Sequence, residues 1–333
     1  MKVADKNKKG RILSGMRPTG KLHLGNYTGA LENWVKLQKE YENFHLVADW
    51  HVLTTNYENT RNIANDTIDM VIDWIGAGIN PEESPMFIQS KIKEHAELHL
   101  IFSMLVTINR LERNPTVKEQ IKELHLEEKV SYGHLGYPVL QAADILIYKA
   151  NLVPVGEDQK PHVEITREIA RRFNNLHGEV FPIPEVKLTE FSRLPGIDGK
   201  RMSKSLGNII LLTDEPAEIE KKIMSAITDP QKIKLGEPGR PEICVVYTYH
   251  SKFNTEERDE IAEDCRNGAL GCVECKGRLS KKLIDFLEPF RKNRAYFLEH
   301  LDEIKDILLQ GEKRAREIAV KTMNDVHKAM NLG

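Results

Sequence analysis

The 333-residue chain has almost no excess charge of either sign: 48 Lys and Arg face 50 Asp and Glu, for a net charge of -2. That excludes a global basic field for nucleic acid, so any such footprint must come from local patches. No apolar run is long enough to span a bilayer. Residues Met1 to Gly10 carry charge with no apolar signal core behind them, and a cytoplasmic chain is expected. No internal repeat or low-complexity tract stands out. Cysteine is scarce: only Cys244, Cys265, Cys272 and Cys275 occur, all in one late stretch.

Two segments built to hold phosphates are present, far apart in sequence. Arg11–Gly15 reads as a short strand and Met16–Gly20 as a turn rich in breakers. Leu24, Leu31, Trp34 and Leu37 then recur at helical spacing. His23 and Asn26 thus fall at a helix start directly after a strand, where unpaired N–H groups suit an anion. Gly25 removes a side chain and so leaves room for a base or ribose to approach. The second segment, Gly199-Lys-Arg-Met-Ser-Lys-Ser-Leu-Gly207, puts three cations and two hydroxyls in a glycine-bracketed loop. Its lysines act as mobile point charges and Ser203 and Ser205 as neutral donors.

Strand-like runs at Ile12–Gly15, Phe44–Ala48, Met86–Gln89 and Leu152–Val155 alternate with helical patterns, including Ile63–Ile75 and His95–Ile108. Such alternation implies a parallel sheet with helices on both faces. A helix entered through Pro138 carries Asp144 among apolar residues, where a carboxylate is costly unless something donates to it. Gly156-Glu-Asp-Gln159 follows a strand, at the kind of strand end where such folds bind ligands. Beyond residue 208 strand signals fade, and Ala217–Ile227, Thr255–Asn267, Lys276–Phe290 and Arg294–Gln310 read as helices, with Gly311 breaking the pattern before a last helix. The expected organisation is a Rossmann-like catalytic domain over 1–195, the basic loop over 196–208, a helical domain over 209–310 and a C-terminal helix over 311–333.

His23-Leu-Gly-Asn26 and Arg201-Met-Ser-Lys-Ser205 resemble the HIGH and KMSKS signatures of class I aminoacyl-tRNA synthetases, with Leu24 for the Ile and Arg201 for the first Lys. The stretch from Tyr137 to Asn174, with Ala142-Ala-Asp-Ile-Leu146 and Gly156–Gln159, looks like bacterial-type tryptophanyl-tRNA synthetase. The resemblance implies activation of L-tryptophan by ATP with Mg²⁺, release of pyrophosphate, and transfer to tRNA(Trp) by a homodimer, with the helical domain over 209–310 binding the tRNA anticodon and the last helix packing back on the catalytic domain. His23, Asn26, Ser203 and Lys204 would be catalytic. Arg17, Gly15, Gly25, Asp158, Arg201, Met202, Ser205 and Lys118 would bind ATP, with Arg17 also near the amino acid. Asp144 would accept the indole N–H, which can only donate. Tyr137, Gln159, His51, Gln141 and Leu13 would complete the tryptophan site. A second lysine of the family's mobile segment is replaced here by Gln120, leaving Lys118 or Lys122 to serve. A tyrosyl enzyme, a non-charging RNA-binding or regulatory protein on the same fold, and a small-molecule nucleotidyltransferase are the alternatives.

The cysteines read C-x6-C-x2-C, with Cys244 twenty-one positions before Cys265. In a cytosolic chain this clustering points to metal rather than disulfides. A [4Fe–4S] cluster tolerates the irregular spacing, and a subset of the resembling family carries one with a similar pattern; zinc is the alternative. Lys276, Arg278, Lys281 and Lys282 beside it are candidates for RNA phosphates or for a solvated face.

Overall fold

The computed structural model describes residues 8–123, 125–126, 128–188 and 194–332, with the side chains of Asp158 and Ser205 outside that description. The strands are β1 Arg11–Met16, β2 Glu42–Val47, β3 Met86–Ile88, β4 Leu152–Val155 and β5 Glu185–Leu188. All pair in parallel, in the order β3-β2-β1-β4-β5. The first nine helices are α1 Leu24–Asn26, α2 Glu32–Leu37, α3 Asp49–Asn56, α4 Ile63–Gly76, α5 Glu94–Ser103, α6 Ile108–Glu112, α7 Pro115–Glu123, α8 Tyr132–Ile147 and α9 Lys160–His177. Then come α10 Pro216–Ser225, α11 Val245–Phe253, α12 Arg258–Arg266, α13 Cys272–Glu299 and α14 Leu301–Met330.

The described residues divide into two compact units. One is drawn from 1–20, 30–190 and 300–333, the other from 21–29 and 191–299. The first unit holds the sheet. Both faces of β2 are buried, Phe44 and Leu46 on one and Asn43, His45 and Val47 on the other, as a sheet covered by helices on both sides requires. Its core joins Leu13, Phe44, Leu46 and Phe87 to Val139, Ala143, Ile145 and Leu146 of α8. The strand order reverses between β1 and β4, the place where open parallel sheets take ligands. The second unit is helical, with α1 and α10 to α13.

The expected parallel α/β sheet and late helical region are present, with local differences. β5 carries Glu185 and Lys187 at a sheet edge and lacks an apolar run to announce it. The single helix expected over His95–Ile108 is two, because Thr107 caps α6 through Arg110 N. α8 begins not at Pro138 but at Tyr132, capped by Ser131, and Pro138 lies inside it. The helix expected from Leu24 contains a π-helical turn over Tyr27–Leu31 between α1 and α2. Gly311 does not break the last helix: α14 runs through it. A Cβ there would stand 1.8 Å from the Met86 carbonyl oxygen, so this glycine permits contact of α14 with β3.

Candidate active site

In the sheet-bearing unit, α8 sets Tyr137, Gln141, Asp144 and Tyr148 at spacings of four, three and four, so they line one stripe. Asp144 is buried and fully cradled. His95 Nδ1 donates to Oδ1 at 2.6 Å and His51 Nε2 to Oδ2 at 2.9 Å. Gln89 Nε2 spans both oxygens at 2.7 and 2.9 Å. Burial pushes the Asp144 pKa up, but the hydrogen bonds from His51 and His95 outweigh it and hold the group well below the usual carboxylate range. Gln89 cannot be turned over, because its Oε1 accepts the Trp50 N–H at 3.1 Å.

Tyr137 Oη lies 2.7 Å from His162 Nε2. Asn114 fixes the proton on that bond. Its Oδ1 accepts Thr116 N at 3.0 Å, so its Nδ2 faces His162 Nδ1 at 3.3 Å as donor. His162 then carries its hydrogen on Nε2 and donates to Tyr137. Arg17, just past β1, donates from Nη2 to Thr55 Oγ1 at 2.6 Å, while its buried Nε has no acceptor among the described residues. Leu13 is in the core, and Gly15 is required by the sheet: a Cβ would meet the Leu46 carbonyl oxygen at 2.6 Å. Glu157–Gln159 forms a 3-10 turn from which Gln159 leads into α9; the Asp158 side chain lies outside the described residues. Lys118 is exposed on α7.

In the helical unit the two signature segments are stitched together. Leu24 N donates to Ile210 O at 2.9 Å and Leu212 N to Leu22 O at 2.9 Å. His23 caps α1: its Nδ1 accepts Gly25 N at 3.1 Å and Asn26 Oδ1 accepts His23 N at 3.0 Å, a reciprocal capping box. His23 therefore bears its hydrogen on Nε2. Burial, aided by the Lys204 charge, pushes its pKa down to about 4, so it is a neutral donor at pH 7. A Cβ on Gly25 would meet Met202 Sδ at 2.7 Å, so the glycine lets the second segment approach the first. Tyr27 anchors this start edge-on to Phe286 and Phe290 of α13.

Asn208 holds the basic loop. Buried, it accepts Ser203 N at 2.8 Å and donates to Asp198 Oδ1 at 2.8 Å and Arg201 O at 3.0 Å. Lys204 is exposed on the short turn Lys204–Leu206, which Gly207 ends in the left-handed region; the Ser205 side chain is outside the described residues. Sequence reasoning missed Gln89, His95, Asn114, His162 and Asn208 as site residues. The only signal was the general demand that buried Asp144 find donors, which does not say where they lie.

All four cysteines line one cavity of about 20 Å³ and none is in a disulfide. Cys244 precedes α11, Cys265 lies near the end of α12, and Cys272 and Cys275 open α13. Burial and then the neighbouring cysteines push the Cys275 thiol up to about 12. Buried Lys232 donates to Leu270 O at 2.9 Å and Cys265 O at 3.2 Å, and its charge counters the rise at Cys265. Among the described residues no three His, Cys, Asp or Glu side chains are arranged to hold a metal ion, so the thiols are gathered but not closed on a centre. Arg278 and Lys282 pair with Glu274 and Glu256, and Lys276 donates to Met224 O, which engages three of the four nearby cations within the protein.

Residues 5–288 match the family model of tRNA synthetases class I (W and Y). The chain is 52% identical over 325 residues to the tryptophan–tRNA ligase of Thermotoga maritima, covering 97% of this chain and 99% of the relative. It is 46% identical to that of Aquifex aeolicus, covering 97% and 100%. Among solved structures it is similar to tryptophanyl-tRNA synthetase from Campylobacter jejuni complexed with ADP and tryptophan: TM-score 0.87, 32% identity, 97% and 100% coverage. These relatives bear out tryptophan over tyrosine. The chain therefore belongs to the class I aminoacyl-tRNA synthetases, in the bacterial-type tryptophanyl branch.

Proposed function

We propose the following division of labour within this tryptophan–tRNA ligase. The tryptophan carboxylate attacks the α-phosphorus of ATP, pyrophosphate leaves, and the tryptophanyl-adenylate then esterifies the 3′ end of tRNA(Trp). The first step needs alignment and charge neutralisation rather than covalent help. His23 Nε2–H, Asn26, Lys204 and the donors of Ser203 and Ser205 serve the triphosphate, with Mg²⁺ accompanying the nucleotide. Arg201 and Met202 complete the loop. Gly15, Gly25 and Asp158 serve the adenosine, and Lys118 the pyrophosphate. Arg17, whose buried Nε points to an anionic partner, serves the amino-acid carboxylate along with ATP. Tyr137 and Gln159 hold the α-ammonium end; His51, Gln141 and Leu13 enclose the indole.

The observation that carries the reading is Asp144, a buried carboxylate kept ionised by N–H donors and therefore acceptor-only. An indole N–H gives Oδ2 a further donor in the substrate pocket, which phenylalanine cannot supply. Tryptophan should support exchange of pyrophosphate into ATP and tyrosine should not; equal exchange with both would remove the assignment. Lys204→Ala should lower kcat for exchange by about 100-fold with little change in the KM for tryptophan.

We propose that Cys244, Cys265, Cys272 and Cys275 would hold a [4Fe–4S] cluster, with zinc the alternative, once the thiols close on it. Four thiols share one cavity, burial makes Cys244, Cys265 and Cys275 costly to ionise alone, and the Lys232 charge favours thiolate at Cys265. Such a centre supplies a cross-link that shapes the helical unit as an RNA-reading surface. Iron and zinc content with the visible spectrum of anaerobically purified protein decides between them. We read the helical unit as the anticodon-side domain, the protein as a homodimer, and its place as the cytoplasm; no described helix is long and apolar enough to cross a membrane.

A further inference from the structure

Behind Asp144 lies a second layer that the reaction scheme does not use. His95 Nε2 is 2.7 Å from Tyr148 Oη, and both residues are 0% exposed. His95 Nδ1 faces Asp144 Oδ1 at 2.6 Å and must carry a hydrogen, since the carboxylate only accepts. Its Nε2 is then the acceptor for the Tyr148 hydroxyl. The tyrosine ring is held in turn, stacked on Phe44 at 5.5 Å and edge-on to Phe87 at 5.2 Å. The chain Tyr148–His95–Asp144 therefore has one direction of donation, fixed by packing.

The two oxygens of Asp144 are not equivalent. Oδ1 takes His95 and the shorter limb of the Gln89 fork. Oδ2 has the longer limb and His51. His51 is 9% exposed, while His95 and Gln89 are 0% exposed, so Oδ2 lies on the more accessible side. We infer that His95 and Tyr148 are positioning residues for tryptophan selection: they lock Oδ1 inside the protein and turn Oδ2 toward the substrate N–H. The tautomer matters as much as the geometry. A His95 with its hydrogen on Nε2 would aim a lone pair at the carboxylate and push it out of place. The inference rests on Asp144 as the reader of the indole.

The test uses full-length enzyme, tryptophan, and β-(3-benzothienyl)alanine, in which sulfur replaces the N–H. Tyr148→Phe deletes one hydroxyl and keeps the ring packing. It should raise the KM for tryptophan about tenfold, leave kcat per active site and the KM for ATP near wild type, and cut the preference for tryptophan over the analogue about tenfold. His95→Leu should lose more, and His95→Asn, whose amide still donates toward Oδ1, should recover part of the preference. Asp144→Asn is the control. If it keeps the preference, the Asp144 reading falls and this inference with it. If it loses the preference while Tyr148→Phe and His95→Leu keep theirs, the positioning role is overturned and the Asp144 reading stands. A Tyr148→Phe enzyme that merely melts earlier, with preference intact, also overturns the role.

Discussion

Single residues in this protein act through the hydrogen bonds that fix them. Asn208 serves three partners in the basic loop from a buried position. Asn208→Ala should therefore lower kcat for pyrophosphate exchange by about 10- to 100-fold and leave the KM for tryptophan unchanged, because only the phosphate-side loop is loosened. Steady-state exchange against each substrate reads this split. His45 makes the opposite kind of case. It is fully buried, stacked on Trp34 at 4.8 Å, and neither ring nitrogen has a hydrogen-bond partner among the described residues. Burial pushes its pKa from 6.5 down to about 3. Between those values the unfolded chain binds a proton that the folded chain does not, so stability rises with pH across the window and falls on acidification. His45→Phe should flatten that fall and add roughly 1 kcal/mol at pH 7, read from urea midpoints across the window.

Elements are where local signals compete with packing. β1 to β4 were legible because buried parallel strands are short apolar runs. β5 was not, since an edge strand carrying Glu185 and Lys187 offers no such run and is defined by pairing with β4. The glycine at 311 was misread for a related reason. In an exposed helix glycine lowers propensity, but here the missing side chain admits the Met86 carbonyl, and the rest of α14 supplies the helix. Gly311→Ala should destabilise the protein by roughly 3 kcal/mol or more, since backbone cannot yield as a side chain does. A fall in Tm in a thermal scan checks this; an unchanged Tm would mean the close approach does not constrain the helix. Pro138 follows the same logic: capping by Ser131 and burial along α8 override a residue that marks a helix start from sequence alone.

At the scale of the molecule, two compact units are expected to unfold in separate steps rather than as one. If the cysteine centre proposed above is present, chelation of anaerobically purified protein, or Cys275→Ser, should lower the transition of the helical unit and leave that of the sheet-bearing unit in place. Binding of tRNA should weaken while tryptophan-dependent exchange persists; loss of both together would count against a structural role for the cysteine centre. With a net charge of -2, tRNA affinity should also fall steeply with salt only as far as local cations allow.

The chain order of motifs by itself determined the family and the parallel α/β architecture, and it nominated the residues proposed to serve the phosphates. These properties are written in contiguous segments, where a glycine, a cap or a cation acts on its near neighbours. What only the tertiary structure decided is who completes those segments: His95 and Gln89 on Asp144, Asn114 behind His162, Asn208 across its own loop, and four cysteines brought to one cavity. The reason is physical. A buried polar group states its need locally, but its partner is chosen by which distant strand or helix the fold packs against it, and one sequence read along its length carries no distance through space.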